Sequence, residues 1–442
     1  MVKALLVGSI AREDAIAEAI AKTGELHSFV SSKNPGIIKK SKSYCMGKAT
    51  DAAAVLEFVK TVDPDYVIIG SDEPIAVGLA DPLVENGYGV VAPLKELARL
   101  ESDKAFARLF MEEYVKKGIP KNFSSKDASK IDDYIDSLDY DFVVKPMGLT
   151  GGKGVKVMGQ QLKTVEEAKA YAREVIETKS DSGIGGVVIE EKLVGEEFSL
   201  QSFVDGDNFA PMPLAQDHKQ AFENDLGPMT GGMGSYSDSN HLLPFVSQKD
   251  YEEAVEIVRL TVKGIKDKTG QGFKGILYSQ FMMTKKGPFI VEYNVRFADP
   301  ESMNVLPILK NDFNEVAMAI VEERLDEEDI SFENQATVLK YLVPRDYPDK
   351  KVSGHMLSIN ESVLSENGVK AYYGGVEERE GRLYTTGSRA VGVFAKGNSI
   401  SEAEEKVEKG ISLINDSELR HRKDIATADS LAKKKKQDAW VK

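Results

Sequence analysis

Ile290-Val291-Glu292-Tyr293-Asn294-Val295-Arg296-Phe297 alternates apolar and polar residues, a pattern that predicts a β-strand. Side chains point to opposite faces in turn along a strand. Glu292, Asn294 and Arg296 then share one face, and Val291, Tyr293, Val295 and Phe297 the other. The oily face packs. The polar face presents a carboxylate, an amide oxygen and a guanidinium in a row. Hard oxygen ligands suit Mg²⁺, which keeps several waters and bridges to nucleotide phosphates. A guanidinium suits a phosphate or a developing acyl phosphate. Taken alone, the triplet also fits a half-buried strand with a solvated face, because short motifs match by chance.

Upstream, Lys145-Pro-Met-Gly148-Leu-Thr-Gly151-Gly152-Lys153-Gly154 joins two predicted strands. Its glycines free the backbone to approach phosphates, and its lysines supply charge. It is not a P-loop, since G-x-x-x-x-G-K-[ST] is absent. The strand Val187-Val188-Ile189-Glu190 runs into Glu191-Lys192-Leu193 and Glu196-Glu197, a passage that can offer backbone groups to a base and a carboxylate to ribose hydroxyls. The most specific string is Gln216-Asp217-His218-Lys219, followed by Asn224-Asp225-Leu226-Gly227-Pro228-Met229-Thr230-Gly231-Gly232-Met233-Gly234-Ser235-Tyr236. So many glycines in one loop suggest close backbone approach to a ligand. His218, one of 5 histidines, reads as a structural residue.

The first hundred residues alternate strand and helix. Strands are predicted at 4–7, 27–30, 66–69 and 90–91, and helices at 12–22, 51–60 and 74–85. This alternation implies a doubly wound parallel sheet with ligands near Gly8 and Gly70, at the carboxyl ends of its strands. A helix at about 96–117 follows. Residues 122–190 form a small α/β lobe, with strands at 142–145, 155–158 and 187–190 and a helix near 164–178. Beyond about 330 the chain is again α/β, with strands at 337–342 and 391–395 and a helix at 401–414. Lys433-Lys434-Lys435-Lys436 reads as a frayed, solvated tail.

Composition sets the class. The 442 residues carry 57 Lys plus Arg against 71 Asp plus Glu, a net charge of −14. Such a chain is a poor non-specific nucleic-acid binder, so an anionic ligand must meet local cationic pockets. Cys45 is the 1 cysteine, which excludes an intramolecular disulfide and fits a reducing cytosol. No apolar run approaches the roughly 20 residues of a membrane helix. A soluble cytoplasmic protein without membrane or nucleic-acid partners is expected.

Lysine, glycine lid, E-E-x-L linker and E-x-N-x-R strand, in that order, resemble the ATP-grasp ligases. Within these, Q-D-H-K, G-P-x-T-G-G-M-G-x-Y-S, R-F-x-D-P-E and the late Arg422-Lys423-Asp424-Ile425 resemble the phosphoribosylamine–glycine ligase family. The resemblance runs to about residue 425. It implies an ATP-grasp fold with an N-terminal doubly wound domain (1–100), a catalytic region (101–330, lid lobe about 122–190) and a C-terminal α/β domain with a basic tail (331–442). By the same resemblance, Lys104 and Lys145 would contact ATP phosphates under a lid of Gly151, Gly152, Lys153 and Gly154. Glu190, Glu191 and Leu193 would hold adenine, and Glu197 the ribose. Glu292, Asn294 and, from the preceding strand, Gln280 would ligate Mg²⁺ or Mn²⁺. Arg296, Asp217 and Lys219 take the catalytic positions. Arg12, Glu73, Asp225, Pro228, Thr230, Gly231, Gly232, Met233, Gly234 and Asp299 take the substrate side.

Three departures stand out. The family loop G-x-G-G-R-E-H reads Gly8-Ser9-Ile10-Ala11-Arg12-Glu13-Asp14, G-P-E-x-P reads Gly70-Ser71-Asp72-Glu73-Pro74, and Ala298 replaces a glycine. Cβ atoms at Ile10 and Ala11 crowd a ligand, so this loop must take a different path or hold a phosphate less closely, with Arg12 expected to do more of the gripping than the backbone. The alternative for Arg12 is a structural ion pair at a helix start. The implied reaction joins glycine to 5-phosphoribosylamine at the expense of ATP, in a monomer or weak dimer. The alternatives are an ATP-grasp ligase for a different amine and a non-catalytic nucleotide-binding module. The second would predict a damaged 292–296 strand.

Overall fold

The structure is a computed structural model describing residues 1–149, 154–178 and 183–435. Gly151, Gly152 and Lys153 of the lid, and Lys436 of the tail, lie outside the described residues.

Strands Lys3–Val7, Glu25–Val30, Ser43–Met46, Tyr66–Ile69 and Val90–Val91 form a parallel sheet in the order third, second, first, fourth, fifth. The continuous apolar runs Ala4–Val7 and Tyr66–Ile69 are buried on both faces, as a covered parallel sheet requires. The strand order reverses between the first and fourth strands, beside Gly8 and Gly70. Glu13 fills that crevice and accepts from Ile10 N at 2.8 Å. A Cβ on Gly8 (φ +147°) would lie 2.3 Å from the Glu13 side chain, and one on Gly70 2.4 Å away. Ile10 is extended (φ −113°), and the helix Ala11–Ala21 starts at once. Neither Ile10 nor Ala11 therefore needs the left-handed backbone that favours glycine. Asp14 is fully buried and accepts from Lys40 (2.5 Å) and from Tyr373 N (2.9 Å), tying this domain to the C-terminal one.

The helix expected at 96–117 is broken into Lys95–Ser102, Lys104–Phe110 and a π-helical turn, Met111–Val115. Asp103 causes the break: its extended backbone bridges Gly148, and its side chain caps the next helix through Phe106 N. The helix expected at 74–85 is likewise two, Asp72–Val77 and Ala80–Glu85, parted by Gly78 at φ +90°.

The lid lobe is an antiparallel sheet ordered Asn122–Ser125, Val187–Glu191, Phe142–Pro146, Lys156–Val157. Helices Ala128–Asp136 and Val165–Glu177 cover it around a core of its own, including Ile131, Val144, Ala172 and Ile189. Beyond it, Phe209–Pro211, Glu196–Gly206, Phe273–Thr284 and Gly287–Asn294 pair in that order as a second antiparallel sheet. The strand that opens the sequence reading ends at Asn294, not Phe297. Past it, Val295 N leaves the ladder and donates to Glu101 at 2.8 Å.

The third large sheet joins Gln216–Asp217 and Gly234–Ser237 to Ala336–Pro344, Val391–Gly397 and Val369–Tyr373. The two ends of the 216–237 segment therefore share one sheet with the chain beyond 330, while Gln220–Phe222 and Leu226–Met229 pair as a separate hairpin between them. The basic end is not wholly solvated. The helix Ala428–Lys434 places Lys434 Nζ 3.0 Å from Glu196, with only 12% of the lysine side chain exposed. Among the described residues, no helix is long and apolar enough to cross a membrane.

Candidate active site

The three sheets and the N-terminal loops converge on a cavity of about 280 Å³. Its floor is the polar face of two paired strands. Gln280 lies opposite Glu292, and Tyr278 opposite Asn294. The period of two puts all four side chains on one surface. Lys104, Arg108 and Lys145 enter from the lid side, Asp217 from the third sheet, and Lys219, Met229, Thr230 and Gly231 from the segment that follows it. Arg296, Asp299 and Glu301 close the far end.

The lid wall is an ion triad. Glu190 accepts from Arg108 through both oxygens (2.7 and 3.0 Å) and from Lys145 at 2.5 Å. Burial alone would raise the Glu190 pKa, but the two cations outweigh it and hold the carboxyl at about 2. Lys104 donates to Gly148 O at 3.1 Å, and burial lowers its pKa. The Glu191 and Lys192 amides are taken by Lys121 O and Asp141 O. Leu193 is half-buried.

On the floor, Glu197 accepts from Gln280 Nε2 at 2.5 Å and from Lys219 at 3.3 Å. Gln280 Oε1 is buried without a partner. Burial pushes Glu292 up, but Lys219, Lys104 and Lys145 prevail and hold it below its ordinary value. Asp217 moves the other way: burial raises it, and nearby Glu301 adds to the rise against Lys219. Arg296 donates to Glu101 at 2.9 Å and to Asn294 at 3.2 Å.

At the far end, Arg389 stacks on the Tyr341 ring (4.5 Å), pairs with Asp299 (3.0 Å), and donates to Gly231 O and Gly232 O, both at 2.8 Å. Thr230 donates to Lys219 O at 2.8 Å, so the glycine turn is pinned from both sides. Gly232 needs its glycine, since φ is +110° and a Cβ would meet Pro300 at 2.7 Å.

The structure thus gathers half of the residues expected from sequence around one cavity. It places others elsewhere. Asp225 is drawn off to Arg422 at 3.0 Å, and Pro228 is exposed. Met233 is a buried core residue and Gly234 opens the buried strand Gly234–Ser237; a Cβ on Gly234 would lie 2.4 Å from Leu339 O. Glu73 is exposed, whereas its neighbour Asp72 lines the cavity. Arg12 is 3% exposed and bound to Glu13 (2.7 Å) and Phe297 O (3.2 Å), outside the cavity lining. The structure adds Glu101, Arg108, Arg389 and Glu301. Glu301 stood in the R-F-x-D-P-E string; the first three carry no local signal, since their partners lie 82 to 195 residues away or in another domain. His218 is buried and outside the cavity lining, its Nδ1 without a hydrogen-bond partner.

The charge balance bears on a metal. The lining holds eight carboxylates against five cationic side chains. A polyphosphate entering this field needs an accompanying cation. Among the described residues no group of three or more His, Cys, Asp or Glu is placed to hold a metal ion. The donors that do converge are one carboxylate and two amide oxygens, from Glu292, Asn294 and the partnerless Gln280 Oε1. That hard oxygen set fits an ion that completes its shell with phosphate and water.

Comparison with known proteins agrees with this architecture. Residues 2–101, 102–302 and 337–428 match the N, ATP-grasp (A) and C domains of phosphoribosylglycinamide synthetase. The chain is 47% identical over 441 residues to a phosphoribosylamine–glycine ligase of Methanocaldococcus jannaschii, covering 98% of both chains. It is 46% identical to one of Thermococcus kodakarensis, over 98% of this chain and 97% of the other. The crystal structure of a phosphoribosylamine–glycine ligase from Thermotoga maritima superposes with a TM-score of 0.81 at 27% identity, covering 96% of this chain and all of that one. With all three domains matched in order over nearly its whole length, the chain belongs to the phosphoribosylglycinamide synthetase family.

Proposed function

We propose that this protein is an ATP-dependent ligase joining glycine to 5-phosphoribosylamine, giving glycinamide ribonucleotide, ADP and phosphate in purine biosynthesis. The observation that carries the reading is the convergence of Lys104, Lys145, Lys219, Glu292, Asn294 and Arg296 on one cavity, in a chain matching this family throughout. Lys104 and Lys145 receive the nucleotide phosphates from the lid side. Since the Glu190 carboxylate is committed to two cations, adenine contact falls to the end of the linker at Leu193. Glu197 faces the ribose.

Glu292, Asn294 and Gln280 would hold Mg²⁺ or Mn²⁺, which would supply charge neutralisation at the phosphates and Lewis-acid polarisation of the γ-phosphoryl group. The glycine carboxylate attacks that group, giving glycyl phosphate and ADP. The amine then attacks the acyl carbon, and phosphate leaves. Arg296 faces the charge that develops on the transferring group. Lys219 and Asp217 orient glycine, and the Thr230–Gly232 turn with Asp299 bounds the amine side. No protein nucleophile is required; positioning and charge neutralisation supply the rate. Incubation with Mg·ATP, glycine and freshly made phosphoribosylamine tests the reading. The expected product is glycinamide ribonucleotide, identified by mass, formed in equal amount to ADP. Absence of that product with the folded enzyme would overturn it.

A further inference from the structure

Glu101 has no part in the chemistry above, yet it is the residue that fixes Arg296. It sits near the end of the helix Lys95–Ser102, at the passage from the N-terminal domain to the catalytic region, with 5% of its side chain exposed. One oxygen accepts from Arg296 Nη2 at 2.9 Å, and the other from Val295 N at 2.8 Å. The same carboxylate therefore reads both the arginine and the backbone beside it. Arg296 Nη1 donates to Phe297 O at 3.2 Å. Both terminal nitrogens are thus committed, while the buried Nε has no partner.

A guanidinium is a rigid planar fork. Fixing its two terminal nitrogens fixes the direction of its Nε–H. A buried donor without a partner is unfavourable, and a free side chain would turn to satisfy it. Here the pair of anchors prevents that turn. We infer that Glu101 is a positioning residue that holds Arg296 with its Nε–H unpaired, ready for an oxygen of the transferring phosphoryl group. Because the helix carrying Glu101 leads out of the N-terminal domain, the placement of that domain and the aim of Arg296 are coupled.

The inference rests on the role given to Arg296 above, and the test separates the two. Glu101→Gln, Glu101→Asp, Arg296→Lys and the Glu101→Gln/Arg296→Lys double variant are compared in kcat, in KM for ATP and in melting temperature. Glu101→Gln is expected to lower kcat at least about thirtyfold with KM for ATP changed less than about threefold, the mark of an interaction made in the transition state. Glu101→Asp keeps the charge and recovers part of the loss, which serves if the amide variant folds poorly. In the Arg296→Lys background, Glu101→Gln should cost less than about threefold more, since two residues acting as one unit are not additive. An impaired Arg296→Lys beside a folded Glu101→Gln of wild-type kcat would overturn the inference while leaving Arg296 in place. So would losses that multiply in the double variant. Wild-type turnover in Arg296→Lys would overturn both assignments.

Discussion

Lys145 and Glu190 form an ion pair at 2.5 Å across adjacent antiparallel strands of the lid lobe. Arg108 grips the other edge of the same carboxylate, so the wall facing the nucleotide is a buried triad. Replacing Glu190 by Gln leaves two buried cations uncompensated, and the expected loss is about 3–5 kcal/mol of stability. The folded pKa of about 2 lies below the ordinary value of 4.5. The unfolded state therefore binds the extra proton between these values, and the stabilisation is full above pH 4.5 and fades as pH falls toward 2. Urea melts from pH 3.5 to 5 should show a shallower rise of stability with pH in Glu190→Gln. An equal slope would place the triad's contribution elsewhere.

Glu292 is the one carboxylate of the proposed metal set, opposite Gln280 across the strand pair. Glu292→Ala should lose at least about a hundredfold in ligase turnover, in keeping with the several kcal/mol a bound ion supplies. Its melting temperature should stay near wild type, since the vacated side chain faces the cavity. Turnover within tenfold of wild type would exclude Glu292 as a ligand.

Arg389 reaches from the C-terminal domain to the carbonyls of Gly231 and Gly232 and to Asp299. Removing it frees the turn on the amine side. Arg389→Ala is expected to raise KM for phosphoribosylamine at least about tenfold, since charge-assisted bonds contribute roughly 1.5–3 kcal/mol each. KM for ATP should change little. Steady-state kinetics with each substrate varied in turn decides this, and an unchanged KM for the amine counts against it.

The sequence pointed to Arg12 as a grip for the substrate phosphate. The structure commits it to Glu13 and to Phe297 O, linking the first loop to the end of the catalytic strand. Arg12→Ala should therefore appear as lost stability, about 3–5 kcal/mol for breaking a buried pair. A variant that melts like wild type yet shows a raised KM for phosphoribosylamine would restore the ligand role.

Much of the site is legible in the chain because strand periodicity is local. The alternation in 290–296 by itself places Glu292 and Asn294 on one face, and Lys219 stands near Asp217 in one short string. What the sequence hides is long-range pairing. Glu101 looks like one more acidic residue of an amphipathic helix until its fold brings it to Arg296. Arg389 stands between Ser388 and Ala390 with nothing local to mark it until the fold brings it to Gly231. Between Glu73 and Asp72, position along the chain cannot choose; the start of the short helix Asp72–Val77 turns one into the cavity and the other to solvent. The break at Asp103 is hidden for the same reason, because its cause is a bridge to Gly148.

The central claim is that the glycine carboxylate is phosphorylated on the way to the amide. Glycine labelled with ¹⁸O in both carboxylate oxygens, turned over with Mg·ATP and phosphoribosylamine, tests it directly. The account predicts one ¹⁸O in each inorganic phosphate released, read by mass spectrometry, with one left in the product amide. Amide formed alongside unlabelled phosphate would contradict it.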